Sequence, residues 1–307
     1  MRFVADHVLV KVPATSANLG PGFDSLGLAL DLWDQVEARA VPGPTRVRVR
    51  GEGAGVLPED SRHLVVRAAH RALEVAGAPP VGLELDCLNA IPQSKGLGSS
   101  ASAVAAGALI ARGLIENPKA MNAGRVFALT TDFEGHPDNA APAVFGGATI
   151  AWMGADYHTP RAAHLAVHPD VRAVVLLPDF TVATAVARAA LPERVPHRDA
   201  VFNASRSALL VHALTVEPAL LLEATEDRLH QPYRSEVMPR TAELVAALRR
   251  EGLAAVISGA GPSVLVLTTD PGAVPEPAGW RWRAVGLAAH GGTVARLRER
   301  PPLKSAG

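Results

Sequence analysis

The hydrophobic and polar positions of the chain follow two different periods. Residues 46–50 alternate Arg and Val, which predicts a strand with one solvated face. Residues 64–76 carry apolar side chains at helical spacing, with Asp60 or Ser61 as the expected cap and Gly77 as the stop. The same reading predicts strands at residues 8–12, 35–41, 81–88, 171–177, 254–257, 263–268, 282–287 and 293–297, and helices at residues 100–114, 204–214, 218–229 and 239–250. This mixture favours an α+β or α/β enzyme over an all-helical or all-β protein.

Two domains of ordinary size, or one large one, fit a chain of 307 residues. A polar stretch with His and Pro, residues 157–169, is the best boundary, so we expect domains at residues 1–162 and 163–307. Residues 13–23, rich in Gly, Pro, Ser and Asn, are predicted to form a loop, and residues 298–307 a frayed tail.

Charge and cysteine usage exclude several classes of function. Thirty basic and thirty acidic residues give a formal net charge of zero, so no overall field attracts nucleic acid or an anionic membrane. The single cysteine, Cys87, lies in an apolar run and reads as a buried structural thiol. Without a signal-like N-terminus or a membrane-length apolar segment, a cytoplasmic location is expected.

Residues 91–102, IPQSKGLGSSAS, join a small-residue loop to an Ala-rich helical segment. Glycines let backbone N–H groups approach an anion, and a helix start adds unpaired donors and positive dipole. The segment is not a Walker A loop, because its Lys precedes the glycines. A phosphate cradle and an ordinary capped helix remain equally good interpretations of this segment alone.

Two further glycine-bearing loops, residues 15–24 and 259–263, share the order and residue types of the GHMP kinase superfamily motifs. The segments PATSANLGPGFD (13–24), EGHPDN (134–139) and DAVFNASR (199–206) most resemble its homoserine kinase branch. The resemblance implies a two-domain α+β fold, with an N-terminal half like ribosomal protein S5 domain 2 and a ferredoxin-like C-terminal half. It further implies transfer of the γ-phosphoryl group of ATP to the side-chain hydroxyl of L-homoserine, with Mg²⁺.

The same resemblance assigns the triphosphate and the metal. The nucleotide-binding residues would be Pro92, Gln93, Ser94, Lys95, Gly96, Leu97, Gly98, Ser99, Ser100, Ala101 and Ser102. Ser100, with Ser99 as the less favoured candidate, would bind Mg²⁺ through its hydroxyl, since this ion takes hard oxygen ligands. The acidic ligand is open: Asp132 aligns with the family's Glu but is one methylene shorter, and Glu134, slightly favoured, has the length at a shifted position.

An amino acid acceptor has two charged ends that need different partners. By resemblance, Asn18 and Asp24 would take its ammonium group and Arg188 and Arg234 its carboxylate, a task suited to the guanidinium fork. The other positions matching the family's substrate site are His136 and Thr184. Gly259 lies in the third loop, for which support of the other loops and substrate contact are equally good interpretations.

The proton acceptor and the exact reaction stay open from sequence. The homoserine branch has Asn, here Asn139, where other relatives place a catalytic Asp, so the proton could pass directly to phosphate or to neighbouring Asp138. Two alternatives are a kinase for another small alcohol, such as mevalonate, and a ligand sensor on the same fold without turnover. A homodimer is a family expectation only.

Overall fold

The computed structural model describes residues 1–297, in which helices and strands are mixed throughout. The strands, in chain order, are β1 (His7–Asn18), β2 (Gly22–Val41), β3 (Arg46–Gly51), β4 (Gly82–Asn89), β5 (Ala148–Met153), β6 (Pro160–Leu165), β7 (Arg172–Pro178), β8 (Ala254–Ile257), β9 (Val264–Thr268), β10 (Trp280–Val285) and β11 (Thr293–Arg296). The α-helices are α1 (Leu64–Val75), α2 (Ser99–Leu114), α3 (Ala123–Glu134), α4 (Ala140–Phe145), α5 (Thr184–Ala189), α6 (His197–Thr215), α7 (Leu221–Ala224), α8 (Gln231–Arg234) and α9 (Pro239–Arg250). Short 3-10 turns occupy Pro118–Met121, Pro218–Leu220 and Pro271–Ala273.

The N-terminal sheet has the strand order β11-β1-β2-β4-β3, with β5 and β6 continuing from the first part of β2. Strand β3 runs parallel to β4, and the other neighbours are antiparallel. In β3 the Val side chains are buried and the Arg side chains exposed, which confirms the predicted solvated face. Helices α1 to α4 pack on the other face of the sheet, and the first hydrophobic core lies between them and the strands.

Helix α2 is central because small and apolar residues surround it on nearly every side, as its sequence predicts. It crosses α1 at Gly107, where a Cβ atom would overlap the carbonyl of Val65 and lie 2.7 Å from the amide nitrogen of Ala69. Glycine is therefore required at this crossing for the close approach of the two helices. This contact fixes the middle of α2 against α1.

The C-terminal sheet has the strand order β10-β7-β9-β8. Alternate side chains of its strands face α9 on one side. On the other side, residues such as Val175, Leu177 and Leu265 share a buried cluster with Leu28 and Leu30 of β2. A continuous apolar core therefore joins the two sheets and fixes the cleft between them.

Several elements differ from the sequence predictions. Strand β1 continues to Asn18 through the predicted loop, because pairing with β2 holds this Pro- and Ser-containing segment extended. In place of the helix predicted over residues 218–229, the structure has a 3-10 turn followed by the short helix α7. The helix does not continue because the Asp227 carboxylate accepts the N–H groups of Leu229, His230 and Gln231 and so forms a turn. Helices α3, α4, α5 and α8 and strands β5 and β6 were not predicted.

A division of the chain at residue 162 falls inside β6, and β11 returns to pair with β1. The domain boundary stays a prediction, and the proposed tail at residues 298–307 lies outside the described residues. Cys87 is buried, and burial raises the pKa of its thiol to about 12, in keeping with a structural role. Among residues 1–297, no helix combines the length and apolarity needed to cross a bilayer.

Candidate active site

Three loops remote in sequence meet in one cleft: the first loop (residues 13–24), the phosphate loop (residues 91–98) and the third loop (residues 258–263). The first loop contacts the phosphate loop through the N–H of Thr15, which donates to the carbonyl of Leu97 at 3.0 Å. Since buried backbone groups must be paired, this bond fixes the two segments against each other.

The third loop connects to both of the others. The N–H of Gly259 donates to the carbonyl of Ala17 at 3.1 Å. The Ser16 and Ser258 hydroxyls are 2.8 Å apart, and Ser258 also donates to the carbonyl of Gly96 at 2.7 Å. The three loops therefore form one hydrogen-bonded unit, as the family resemblance implies.

A cavity of about 330 Å³ lies along this unit. It brings together most of the residues that the sequence singled out, namely Asn18, Asp24, Gln93, Ser94, Gly96, Leu97, Gly98, Ser99, Ser100, Ser102, Glu134, His136, Asp138, Asn139, Thr184, Arg188, Arg234 and Gly259. They come from both halves of the chain, so the cavity depends on the packing of the two sheets.

Four predicted residues do not line the cavity. Pro92 and Ala101 are buried, and Asp132 is exposed on α3. The Lys95 side chain turns away from the helix start, and its Nζ donates to the carbonyls of Pro178, at 3.0 Å, and Phe180. Its ammonium group therefore ties the phosphate loop to the end of β7 instead of facing the cavity.

The phosphate loop ends in Gly98, which precedes α2 with a left-handed φ of 66°. A Cβ atom there would overlap Thr15 Oγ1, so both the backbone angle and the contact require glycine. Ser102 is the first residue of α2 whose N–H donates within the helix, to the carbonyl of Gly98 at 2.9 Å. By helix geometry the preceding N–H groups lack intrahelical partners, so this end of the cavity is suited to an anion.

Ser100 and Glu134 provide the oxygens beside this helix start. Ser100 Oγ donates to Glu134 Oε1 at 2.6 Å. Burial raises the pKa of Glu134, although the bond from Ser100 opposes the shift. Asp132 lies two residues earlier on α3, about 200° around the helix, and faces away. The structure thus brings Glu134, and not Asp132, to the site.

Asp24 and Arg188 form an ion pair at the other end of the cavity. Arg188 Nη2 and Nη1 donate to the two carboxylate oxygens of Asp24 at 2.9 and 3.3 Å. Asn18 holds the backbone of Asp24 in place, because its Oδ1 accepts the Asp24 N–H at 2.9 Å. Asn18 Nδ2 in turn donates to the carbonyl of Gly259 at 2.9 Å.

Arg234 is the most deeply placed cation of the cavity, with 1% of its surface exposed. Its Nη1 donates to the carbonyl of Gly259 at 2.8 Å, and its Nε to the carbonyl of Ala187 at 3.3 Å. Burial and the nearby charge of Arg188 lower the pKa of Arg234 to about 10, so it stays charged at neutral pH. Two arginines therefore concentrate positive charge at this end.

His136, Asp138 and Asn139 form the wall between the two ends. His136 Nδ1 is hydrogen-bonded to Asp138 Oδ1, which also accepts the N–H of Asn139 at 2.9 Å. Burial would lower the pKa of His136, but the hydrogen bond and charge of Asp138 outweigh it and raise the pKa above its usual value. Asn139 Oδ1 accepts from Thr15 Oγ1 at 2.8 Å, so this side chain is anchored to the first loop.

Polar groups of Asp24, His136 and Asp138 lie within 4.8 Å of one another, a spacing suited to a cation. Arg188 already lies against Asp24, so a cation bound here would share that carboxylate with a guanidinium. Asp24, for which the resemblance implies an ammonium partner, thus lies beside two other predicted site residues, His136 and Asp138.

Sequence reasoning missed a further part of the cavity, formed by Asp34, Asn89, His63, Leu57 and Pro58. Asp34 Oδ1 accepts the N–H groups of Ala90 and Ile91 at 2.7 and 2.9 Å, which shapes the entry to the phosphate loop. His63 could have been found as the residue directly before the periodic run of α1. It caps that helix in place of the predicted Asp60 or Ser61.

The sequence matches two protein families that agree with this architecture. Residues 63–147 match the GHMP kinases N terminal domain, and residues 211–276 match the GHMP kinases C terminal. The two sheets and the loop-lined cleft between them thus define the class as a GHMP kinase.

Comparison with individual relatives identifies the family within this class. A homoserine kinase of Clavibacter michiganensis is 54% identical over 268 residues, covering 87% of this chain and 84% of the relative, and one of Leifsonia xyli is 50% identical, covering 95% and 93%. The crystal structure of homoserine kinase from Cytophaga hutchinsonii superposes with a TM-score of 0.81 at 26% identity, covering 96% and 99%. The chain belongs to the homoserine kinase family.

The fold is shared more widely. Mevalonate diphosphate decarboxylase from Enterococcus faecalis matches with a TM-score of 0.66 at 14% identity, covering 96% of this chain and 100% of that one. At that identity the likeness concerns the fold alone.

Proposed function

We propose that this protein transfers the γ-phosphoryl group of ATP to the side-chain hydroxyl of L-homoserine, giving O-phospho-L-homoserine. One observation carries the proposal. The anion-binding start of α2 and the Asp24–Arg188–Arg234 group line the same cavity. Homoserine kinase relatives about 50% identical over most of the chain support the same reaction. Phosphoryl transfer needs chiefly alignment of the two reactants and neutralisation of charge.

The phosphates belong at the start of α2. Free N–H groups of its first turn and the dipole of the 16-residue helix attract anionic oxygens. The phosphate-loop glycines allow the backbone to approach closely. Gln93 and Ser94 line the approach to this turn, whereas Lys95 contributes by holding the loop in place.

Mg²⁺ fits the oxygens of Ser100 and Glu134. A hydroxyl and a carboxylate 2.6 Å apart, beside the phosphate site, are hard ligands of the kind this ion prefers. When bound, the ion would neutralise charge on the phosphate oxygens. The raised pKa of Glu134 reflects burial of a carboxylate, a cost that a nearby cation offsets.

The acceptor belongs at the other end. Arg188 and Arg234 would bind the carboxylate of homoserine, and Asp24 with Asn18 its ammonium group. Thr184, exposed at the start of α5, lies beside the same end. The hydroxyl of the substrate then points toward the wall of His136, Asp138 and Asn139, between the two ends.

The hydroxyl proton would pass to the phosphoryl group. Asp138 is 1% exposed, and its Oδ1 already accepts hydrogen bonds from His136 and from the backbone. In this account Asp138 orients His136, and the amide of Asn139 has no basic atom to receive the proton. Full turnover in an Asp138→Asn variant would support this account, and a loss of about a thousandfold would favour Asp138 as the general base.

The nucleotide base would occupy the missed part of the cavity. Ser99, Ala103 and Ala106 share one face of α2 and line the cavity over a rise of about 10 Å. Beyond them lie apolar side chains of Val36, Leu57 and the start of α1, which suit an aromatic ring.

Release of ADP from ATP, measured with and without L-homoserine, tests the reaction, and mass spectrometry of the product identifies the acceptor atom. We expect ADP release that depends on homoserine, with mevalonate inactive as the comparison acceptor. Nucleotide binding without homoserine-dependent turnover would contradict the proposal and indicate a sensor. Turnover with mevalonate in place of homoserine would indicate a different kinase.

A further inference from the structure

A buried histidine outside the cavity connects two parts of the proposed acceptor site. His230 is 0% exposed and does not line the cavity. Its Nε2 lies 2.8 Å from the carbonyl oxygen of Gly20 in the first loop, and its Nδ1 lies 3.2 Å from Nη1 of Arg234. Its ring also stacks on that of Phe23, with 5.1 Å between the ring centroids. His230 therefore joins Arg234 to the loop that carries the proposed ammonium site.

These two neighbours fix where the proton of the His230 ring resides. A guanidinium group can only donate, so Nδ1 accepts from Arg234. A carbonyl oxygen can only accept, so Nε2 carries the proton and donates to Gly20. Burial lowers the pKa of His230 more than the Asp227 carboxylate, 3.6 Å from Nε2, raises it, which favours the neutral ring. One neutral tautomer thus satisfies both ring nitrogens.

The other bonds of Arg234 show what this neutral acceptor achieves. Nη1 also donates to the carbonyl of Gly259, and Nε donates to that of Ala187, so the protein holds every N–H group of these two nitrogens. The N–H groups of Nη2 bond no partner among residues 1–297. A guanidinium is planar, so the fixed Nε and Nη1 also fix the direction of Nη2. Since none of the three partners is charged, the positive charge of Arg234 stays available to a bound carboxylate.

We infer that His230 is the positioning residue of Arg234: as a neutral acceptor it orients the guanidinium so that Nη2 faces the carboxylate of the acceptor substrate. The inference rests on the acceptor site proposed above and deepens it. It requires only that the acceptor carries a carboxylate, which is true of L-homoserine and of mevalonate. A carboxylate side chain in place of the imidazole would also orient Arg234, but it would compete with the substrate for the same charge.

His230→Gln and His230→Asn separate the two hydrogen bonds of the ring. The amide nitrogen of Gln can replace Nε2 and keep the bond to Gly20, but it leaves no acceptor at the position of Nδ1. The Oδ1 atom of Asn falls at the position of Nδ1 and can accept from Arg234, but Asn has no donor that reaches Gly20. Both variants lose the stacking on Phe23, so they form a matched pair.

Calorimetric titration of L-homoserine, and separately of mevalonate, into protein saturated with ADP and Mg²⁺ measures acceptor binding directly. We expect His230→Gln to bind the acceptor about tenfold more weakly than wild-type protein, the usual effect of losing a hydrogen bond to a charged group. His230→Asn should bind it about as tightly as wild-type protein. Both variants should bind ADP with Mg²⁺ like wild-type protein, and in steady-state assays the change should appear in the KM for the acceptor and not in kcat.

Unchanged acceptor binding in His230→Gln would overturn the inference. Equal weakening in the two variants, or a greater loss in His230→Asn, would assign His230 a structural role and overturn it as well. Binding and turnover of mevalonate in place of L-homoserine would contradict the proposed function, yet the same difference between the two variants would still support the role of His230. The two proposals therefore fail by different results.

The tautomer of His230 can be measured in wild-type protein, without relying on the folding of any variant. In ¹⁵N NMR of histidine-labelled protein, the signals of His230 are those that His230→Gln lacks. We expect a neutral ring at neutral pH with its proton on Nε2. A proton on Nδ1, or a doubly protonated ring, would overturn the inference whether or not an acceptor is bound or turned over.

Discussion

Asp24 and Arg188 neutralise each other across the two halves of the chain. A zwitterionic amino acid offers each of them an opposite charge, so its binding can exchange one ion pair for two. An acceptor with a carboxylate alone would leave Asp24 without a partner, which is costly in a partly desolvated site. Charge pairing within the protein therefore favours an amino acid over a simple hydroxy acid.

Replacing Arg188 by Ala should raise the KM for L-homoserine by about 100-fold, because it removes a bidentate partner and leaves Asp24 uncompensated. The KM for ATP should change much less. Steady-state kinetics with each substrate varied in turn measure both. Arg198→Ala is the control, since that side chain is 84% exposed on α6. An unchanged homoserine KM in Arg188→Ala would remove Arg188 from the acceptor site.

Glu134 and Asp132 differ in position on one helix, which allows a matched comparison. Glu134→Gln keeps the size but removes the anionic ligand, and we expect the Mg²⁺ concentration for half-maximal activity to rise at least about tenfold. Asp132→Asn should leave it unchanged because its side chain is exposed outside the cavity. Titration of Mg²⁺ at fixed ATP distinguishes them. An equal rise in both variants would speak against a specific ligand role for Glu134.

Asp34 predicts a pH dependence of stability. Burial raises its pKa from 3.8 to about 6, against the opposing backbone bonds from Ile91 and Ala90. The pKa of Asp34 is higher in the folded than in the unfolded protein, so protonation of Asp34 stabilises the fold. This contribution, about 3 kcal/mol, is fully present below about pH 4 and is lost as the pH rises through 6.

Asp34→Asn keeps the accepting oxygen for both backbone N–H groups but cannot ionise. The difference between its free energy of unfolding and that of wild-type protein should therefore rise by about 2 kcal/mol between pH 4 and pH 7. This difference should level off above pH 7. Urea denaturation at several pH values measures this. Parallel pH profiles of the two proteins would show that Asp34 does not titrate in this range.

At the scale of elements, the start of α2 depends on Gly98. Gly98→Ala would introduce both an unfavourable positive φ and an overlap with Thr15 Oγ1, whose hydroxyl anchors Asn139. We expect a loss of about 1 kcal/mol from the backbone angle alone, with a further fall in stability and in kcat/KM from the displaced side chains.

Gly252→Ala is the matched control for Gly98. Gly252 follows α9 with a φ of 83°, and nothing lies within 4 Å of the position that a Cβ atom would take there, so only the backbone penalty applies. Thermal unfolding and ATP kinetics of both variants separate the angle from the contact. Similar kcat/KM values in the two variants would mean that the fit of Gly98 against Thr15 is irrelevant to catalysis.

The elements show how far the sequence predicts this site. The spacing of glycines and hydroxyl side chains predicted the three loops. The small and apolar residues on nearly every side of α2 predicted that this helix is buried. The direction of the Lys95 side chain depends instead on carbonyls of Pro178 and Phe180, more than 80 residues away. His63 escaped notice because its role follows from the cavity beside it, and α3 because tertiary packing, not strong periodicity, determines it.

At the scale of the whole molecule, the cleft is held by packing and polar contacts together. Side chains of β2 share a buried cluster with β7 and β9, while Lys95, Arg188 and the third loop bridge the same junction. Neither half buries all of its apolar surface without the other, so we expect the two halves to unfold together.

Calorimetry should therefore show one unfolding transition whose calorimetric and van't Hoff enthalpies agree. A non-hydrolysable ATP analogue with Mg²⁺ and L-homoserine, each at about 100 times its Kd, should raise the unfolding free energy by about 2.7 kcal/mol per ligand, and still in one transition. Two separate transitions, with only one shifted by ligand, would show instead that the halves fold independently and that the shared core contributes little to coupling them.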